Sequence, residues 1–371
     1  MVQTLARCRS CGLPGKLAES LEWQPDGAIV FRRMKSLRLA LLDAQTMDHI
    51  RAAVEAAVGA DACMGAEKDA TRIVTGGLTS GIKGRLSRYS AIKKRALEAI
   101  EGYSLLLGMG RIELERFTPG EGGSLLLRRP FDLGVVTAGV TGVLEEMDRC
   151  RYAGTLSGAG ENVYRLVLDS DETEGVEAAS PRELPLFHDQ QAGDEKIEGC
   201  RICGLPSAIS QLRWDELYGT IEAGAGGRRV SFLPVYMLAV LGHLAAGAAG
   251  SRYAKAVEEA VYASTRSSLE SGKSDAYESS DILPRNGDWQ AAWQSMRMRG
   301  WGAVARHGLH GGDLRVTVLD TVDEALIAGW LRALYTVAMG REPVVEIVEE
   351  PPSTVFELGW SRASQRGGNS R

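Results

Sequence analysis

The sequence is short of several things, and each shortage narrows what the chain can be. Basic residues are outnumbered: 43 Lys and Arg against 48 Asp and Glu leave a formal net charge of −5. A general nucleic-acid binder needs a basic surface to displace counterions from phosphates, so no nucleic-acid partner is expected. No uninterrupted apolar run reaches membrane length. The most apolar stretch, Val230 to Ala249, is broken by Pro234, Gly242 and His243 and reads as a buried helix, so no membrane span is expected. The first residues, Met1 to Arg7, lack the charged start and apolar core of a secretory signal. Cysteine is scarce, at 6 of 371 residues, and occurs as two CxxC pairs plus Cys63 and Cys150. That usage fits a reducing compartment, and the cytoplasm is the expected location.

Apolar residues make up 44% of the chain and charged residues 25%, enough to build more than one core in a chain of this length. The feature around which the rest is arranged is a repeated string. Cys8-Arg-Ser-Cys11-Gly12-Leu13-Pro14 near the start matches Cys200-Arg-Ile-Cys203-Gly204-Leu205-Pro206 at six of seven positions. Such a match reads as the heading of an internal duplication. Two CxxC pairs also make a complete tetrahedral four-thiolate shell, and Cys8, Cys11, Cys200 and Cys203 are the expected ligands of one structural zinc ion. Three other uses of the same residues stay open. Each pair could be completed separately by another chain, as in a homo-oligomer, or by other ligands, the pairs could be redox-active, or four thiolates could hold an iron–sulfur cluster.

Each CxxC is followed by a Trp (Trp23, Trp214) and by hairpin signals such as Asp26-Gly27, so a metal knuckle leading into a short hairpin is expected in each half. The Trp either covers the knuckle or serves as ordinary core. Helical spacing then predicts helices over residues 37–58 and 233–248, and again over 85–106 and 252–269. The later part of each half alternates apolar and charged residues around tight turns. It predicts strands at 111–117 and 124–128, a helix at 133–147 and a strand at 162–168. In the second half it predicts strands at 303–307 and 314–319, a helix at 322–339, and strands at 344–348 and 354–358. The fold class expected is α+β, an internal duplication in which each half has a CxxC knuckle and hairpin, helices and a small antiparallel sheet. The corresponding segments are 1–35 (knuckle and hairpin), 36–170 (first α+β domain), 171–199 (acidic linker), 200–230 (second knuckle and hairpin), 231–360 (second α+β domain) and 361–371 (disordered tail).

In Leu107-Gly108-Met109-Gly110 and the strand behind it, the helix Val135 to Met147 and Asn162 to Leu168, the chain resembles the 4-vinyl reductase-type, or hydrocarbon-binding, domain family. Arg299-Gly300-Trp301-Gly302 through Phe356-Glu357-Leu358 carry the same likeness in the second half, about 100 residues in each. Family members carry cysteines around the final helix and strand, whereas here only Cys150 lies in that region. The resemblance implies a fold that binds small aromatic or hydrophobic compounds, as a sensor or accessory subunit, and does not by itself imply a reductase. A pocket between sheet and helices is then expected, with Met298, Trp301, Trp330 and Tyr335 as candidate lining residues, although the reading of these four as simply core is the stronger one.

No catalytic constellation stands out. His307 and His310 flank a Gly-rich turn without a third ligand nearby. Thr75 to Lys83 misses the order of a phosphate-binding loop, because Ile82 precedes Lys83 and Gly84 follows it. The basic set Lys83, Arg85, Arg88, Lys93, Lys94 and Arg95 reads as a solvated helix face or an anion contact. Glu145-Glu146 and Glu349-Glu350 read as solvated charge, and Cys63 and Cys150 as small apolar residues. The expected protein is a zinc-stabilised binder of a small hydrophobic or aromatic ligand; the alternative is a scaffold recognising a protein partner.

Overall fold

The structure is a computed structural model that describes residues 5–32, 34–79, 90–175, 197–224, 227–239, 251–270, 282–284 and 288–360. Most of the acidic segment, the basic set through Arg88 and the tail lie outside these residues. Side chains of the remaining basic set also lie outside them.

The described residues form three antiparallel sheets. The central one has six strands: β1 (Leu21–Trp23), β2 (Ile29–Phe31), β3 (Met34–Asp43), β8 (Arg213–Asp215), β9 (Thr220–Ala223) and β10 (Arg228–Pro234), in the order β1-β2-β3-β10-β9-β8. The two hairpins therefore share one sheet, joined where β3 pairs with β10 from Asp43↔Val230 to Leu39↔Pro234. The other two sheets each lie within one half. The first holds β4 (Arg111–Thr118), β5 (Gly122–Arg128), β6 (Cys150–Gly160) and β7 (Val163–Gly175); the second holds β11 (Ala303–His310), β12 (Asp313–Leu319), β13 (Val344–Glu350) and β14 (Ser353–Gly359). Their orders, β4-β5-β7-β6 and β11-β12-β14-β13, are the same.

The helices are α1 (Gly15–Ser20), α2 (Ala44–Val58), α3 (Ala60–Thr79), α4 (Ser90–Leu107), α5 (Leu133–Asp148), α6 (Ser251–Glu270), α7 (Gln290–Met298) and α8 (Glu324–Met339), with a 3-10 turn at Ser207–Gln211. α5 packs on α3, and α8 packs on α6. α3 and α6 are each 20 residues long, and α5 and α8 each 16. α5 and α8 also start alike. The Asp132 carboxylate accepts from Val135 N–H at 2.7 Å and that of Asp323 from Leu326 N–H at 2.8 Å, each satisfying an otherwise orphaned N–H of the first turn. No helix among the described residues is long and apolar enough to cross a membrane.

Several expectations change. The predicted helix over 37–58 is a strand as far as Asp43, and only then a helix, because the Asp43 side chain caps α2 by accepting from Thr46 N–H at 2.8 Å. β3 is buried on both faces. Leu39 and Leu41 join one core, and Ala40 and Leu42 join another, so the run shows no alternation to betray a strand. Likewise, residues 228–234 of the second half are strand and 235–239 helical, with 240–250 outside the described residues. β6 was not expected, since its Gly- and Ser-rich sequence is exposed along most of its length and lacks a periodic apolar face. β7 continues to Gly175, into the segment read as linker.

The tryptophans after each CxxC belong to the core beneath the cysteines, Trp214 within it and Trp23 packed against it, and their indole N–H groups reach the opposite half. Trp23 Nε1 donates to Met298 O at 3.1 Å, and Trp214 Nε1 donates to Leu106 O at 2.9 Å. Each hairpin thus docks against the Gly-x-Gly corner of the opposite half. The turn residue Gly27 lies against Gly302, and Gly219 accepts from Gly110 N–H at 2.9 Å. Replacing Trp214 with Phe leaves the buried Leu106 carbonyl without this donor. Denaturant unfolding should show a loss of about 1–2 kcal/mol.

Candidate metal centre

The two CxxC turns are built alike. In the first, Cys8 N–H donates to Leu13 O and Gly12 N–H to Cys8 O, both at 2.8 Å; in the second, Cys200 N–H donates to Leu205 O and Gly204 N–H to Cys200 O, both at 2.8 Å. The turns close through Gly12 at φ 74° and Gly204 at φ 75°, a left-handed conformation that glycine adopts without the Cβ clash of other residues. The pairs Arg7↔Pro14 and Gly199↔Pro206 form isolated bridges at the base of each turn.

These turns precede β1 and β8, the two end strands of the central sheet, and meet over a core that both hairpins share. Leu13, Leu17, Leu205 and Ile209 bury beneath them in a single core with β3 and β10. The first turn is also tied to the second hairpin, because Arg7 pairs with Glu216 at 2.9 Å and donates to Trp214 O at 3.1 Å.

The four sulfur atoms lie within 4.8 Å of one another. Cys8 Sγ is 3.9 Å from Cys200 Sγ, and Cys11 Sγ is 3.5 Å from Cys203 Sγ. Four thiolates about 2.3 Å from a tetrahedral ion sit about 3.8 Å from each other, so the observed spacing fits a metal ion. All four cysteines are free and half-buried. Within each pair the two thiols differ. The N–H groups of Cys11 and Ser10 hold Cys8 below the ordinary thiol range, and those of Cys203 and Ile202 lower Cys200 to about 6. Burial pushes Cys11 up to about 12 and raises Cys203 as well. Backbone N–H groups aimed at the outer sulfurs favour thiolate, the form that binds metal. Because protons compete for those sulfurs, metal held here should pass to a chromogenic chelator faster at about pH 5 than at about pH 8.

The four residues expected to line a pocket are packed core. Trp330 and Tyr335 are 0% exposed, Trp301 1% and Met298 8%. Trp301 and Trp330 meet edge to face at 5.8 Å, Trp301 Nε1 donates to Leu41 O at 3.2 Å, and the Tyr335 hydroxyl donates to Gly312 O. Met298 belongs to the core beneath the cysteines, whereas the other three lie in the large core shared by α2, α6 and α8. A cleft of about 370 Å³ occurs elsewhere, lined by Arg129, Phe131, Leu133, Tyr164 and Arg229 among others. Sequence reasoning missed it because its walls come from separate segments of both halves.

His307 and His310 are exposed on β11 and join no cluster of potential metal ligands among the described residues. Glu349 and Glu350 are exposed, as expected, but Glu145 and Glu146 are buried. Glu145 accepts from Lys68 Nζ and from Tyr152 N–H, each at 3.0 Å, and lies 3.5 Å from Arg151; Glu146 pairs with Arg149 at 2.8 Å. These charges hold α3, α5 and β6 together, which a local reading of Glu-Glu could not reveal. Cys63 is buried, and burial pushes its thiol up to about 12, as befits an inert core residue. Compared with known proteins, the chain matches no family model, no curated protein and no solved structure.

Proposed function

We propose that the chain is a duplicated cytoplasmic protein whose two halves are stapled by one structural zinc ion, and that it binds a small aromatic or hydrophobic ligand as a sensor or accessory subunit. The observation that carries the staple is the meeting of Cys8, Cys11, Cys200 and Cys203, from opposite ends of the central sheet, at tetrahedral spacing. Zinc is favoured because a four-thiolate shell suits it and, once closed, leaves no position for substrate. The duplication is supported by the repeated C-R-x-C-G-L-P string, the matching lengths of α3/α6 and α5/α8, the matching Asp caps of α5 and α8, and the common strand order of the two outer sheets.

The ligand part rests on the likeness to hydrocarbon-binding domains and on the cleft beside Phe131, which replaces the filled core around Trp301 and Trp330 as its location. The chemistry is binding and not turnover, since a closed four-thiolate site leaves no position for substrate. Titration of the zinc-loaded chain by calorimetry with benzoate, benzyl alcohol and toluene tests this reading. Saturable binding of at least one compound is expected, and the absence of binding across the panel would refute it in favour of a scaffold without a ligand.

A further inference from the structure

The cleft has a charge arrangement that its counterpart in the second half lacks. In each half, an arginine of the central sheet reaches the residue that follows the second strand of the outer sheet. At the second half's outer sheet this is Arg38, supplied by β3 of the first half and fully buried. It donates to Gly300 O at 2.8 Å and Asp320 O at 2.6 Å and pairs with the Asp320 carboxylate at 3.0 Å. At the first half's outer sheet it is Arg229, supplied by β10 of the second half, which donates to Pro130 O at 2.7 Å and to Arg129 O. Arg129 follows β5 as Asp320 follows β12, and both residues have a positive φ, 45° and 50°. Where the crossing onto the second outer sheet joins an arginine to an aspartate, the crossing onto the first joins two arginines.

Neither Arg129 nor Arg229 has a carboxylate within 4.0 Å among the described residues. Arg229 Nε is buried without an acceptor, and the Arg129 guanidinium lies over the Tyr218 ring at 4.1 Å. Burial and the charge of Arg129 both lower the Arg229 pKa, the physical sign of a cation poorly compensated where it stands. The acidic groups of the cleft are engaged or set apart. Asp132 caps α5 and meets Arg51 at 3.5 Å, and Glu222 is paired with Arg213 at 3.4 Å. Asp48 attracts Arg229 but makes no ion pair with it among the described residues. The apolar wall comes from Phe131 and Leu133, and Asn162 and Tyr164 add polar edges.

The geometry points to a binding site for a small carboxylate on an apolar body, with its oxygens between Arg129 and Arg229 and its body against Phe131 and Leu133. The Arg129 guanidinium and the Arg229 Nε–H offer donors and positive charge that a carboxylate accepts, and a volume of about 370 Å³ suits a single-ring acid. This inference rests on the small-ligand reading above and adds the charge and place of the ligand.

The test uses the full zinc-loaded chain and calorimetric titration with benzoate, benzyl alcohol and inorganic phosphate, on the native protein and on Arg129→Asp. That variant gives Arg229 the partner Arg38 has, and Asp tolerates the left-handed backbone well. Benzoate should bind the native protein at least tenfold more tightly than either benzyl alcohol or phosphate. Arg129→Asp should weaken benzoate at least tenfold while keeping its zinc and melting at the same or a higher temperature. Arg129→Gln, which removes one cation without adding an acid, should weaken benzoate in the same direction. Equal binding of benzyl alcohol, or benzoate binding unchanged in both variants, would overturn the carboxylate site and leave the small-ligand reading standing. Preference for phosphate would overturn the ligand class, and no binding of any probe, toluene included, would sink both.

Discussion

Replacing Cys8 with Ser is expected to strip the metal from both CxxC pairs at once. The sulfurs of Cys8 and Cys200 are 3.9 Å apart, close enough for one ion to take both into its coordination shell although 192 residues separate them. Loss of one thiolate leaves three ligands, too few to close a structural site. Cys200→Ser should do the same. A metal bound to the folded state alone, present at a thousandfold excess over its Kd, contributes about 4 kcal/mol of stability. Each single variant should lose about that amount, measured by unfolding at fixed metal concentration. The double variant Cys8→Ser/Cys200→Ser should lose no more than either one, because the second substitution has no ion left to release. Strict additivity would mean that the pairs bind separately, since additive effects are the mark of independent sites.

Gly27→Ala is expected to be strongly destabilising although it adds a single methyl. A Cβ at this position would sit 2.4 Å from Gly302 O and 2.9 Å from Ala303 N, with the backbone at φ +84°. Left-handed backbone costs a non-glycine residue about 1–2 kcal/mol, and forcing atoms into packed backbone adds about 1–3 kcal/mol. The sum is a destabilisation of about 2–5 kcal/mol. Gly219→Ala meets the same obstacle at the mirror contact, where Gly110 O would be 2.7 Å from the new Cβ. Gly12→Ala separates the two causes. It has φ +74° with nothing within 4 Å, so chemical denaturation should show only the backbone share. Equal costs at Gly12 and Gly27 would contradict the close crossing of hairpin and opposite half.

The pairing of the two CxxC turns could be read from the chain because a near-identical string marks both and four thiolates make a complete chemical unit. The outer sheets were legible for a related reason. Strands such as β12, with Leu314, Val316 and Val318 buried and Arg315 exposed, have one wet face, and so keep a period of two. β3 has no wet face between Leu39 and Leu42 and was taken for helix. The crossing of the hairpins was hidden because it depends on backbone-to-backbone approach, as at Gly27 and Gly302, which leaves no side-chain pattern. The burial of Glu145 was hidden because its cation Lys68 lies 77 residues away. The arginine cleft combines both difficulties, since Arg129 and Arg229 are 100 residues apart and each looks like an ordinary surface charge.

Metal content and sulfur coordination, measured together on monomeric protein, address the central claim most directly. Elemental analysis of the chain, purified without added metal and confirmed as a monomer in solution, should give one zinc per chain. X-ray absorption at the zinc edge should give four sulfur neighbours at about 2.3 Å and no nitrogen or oxygen ligand. Two metals per chain, a mixed sulfur and oxygen shell, or zinc found only in oligomers would contradict a single ion joining Cys8 and Cys11 to Cys200 and Cys203.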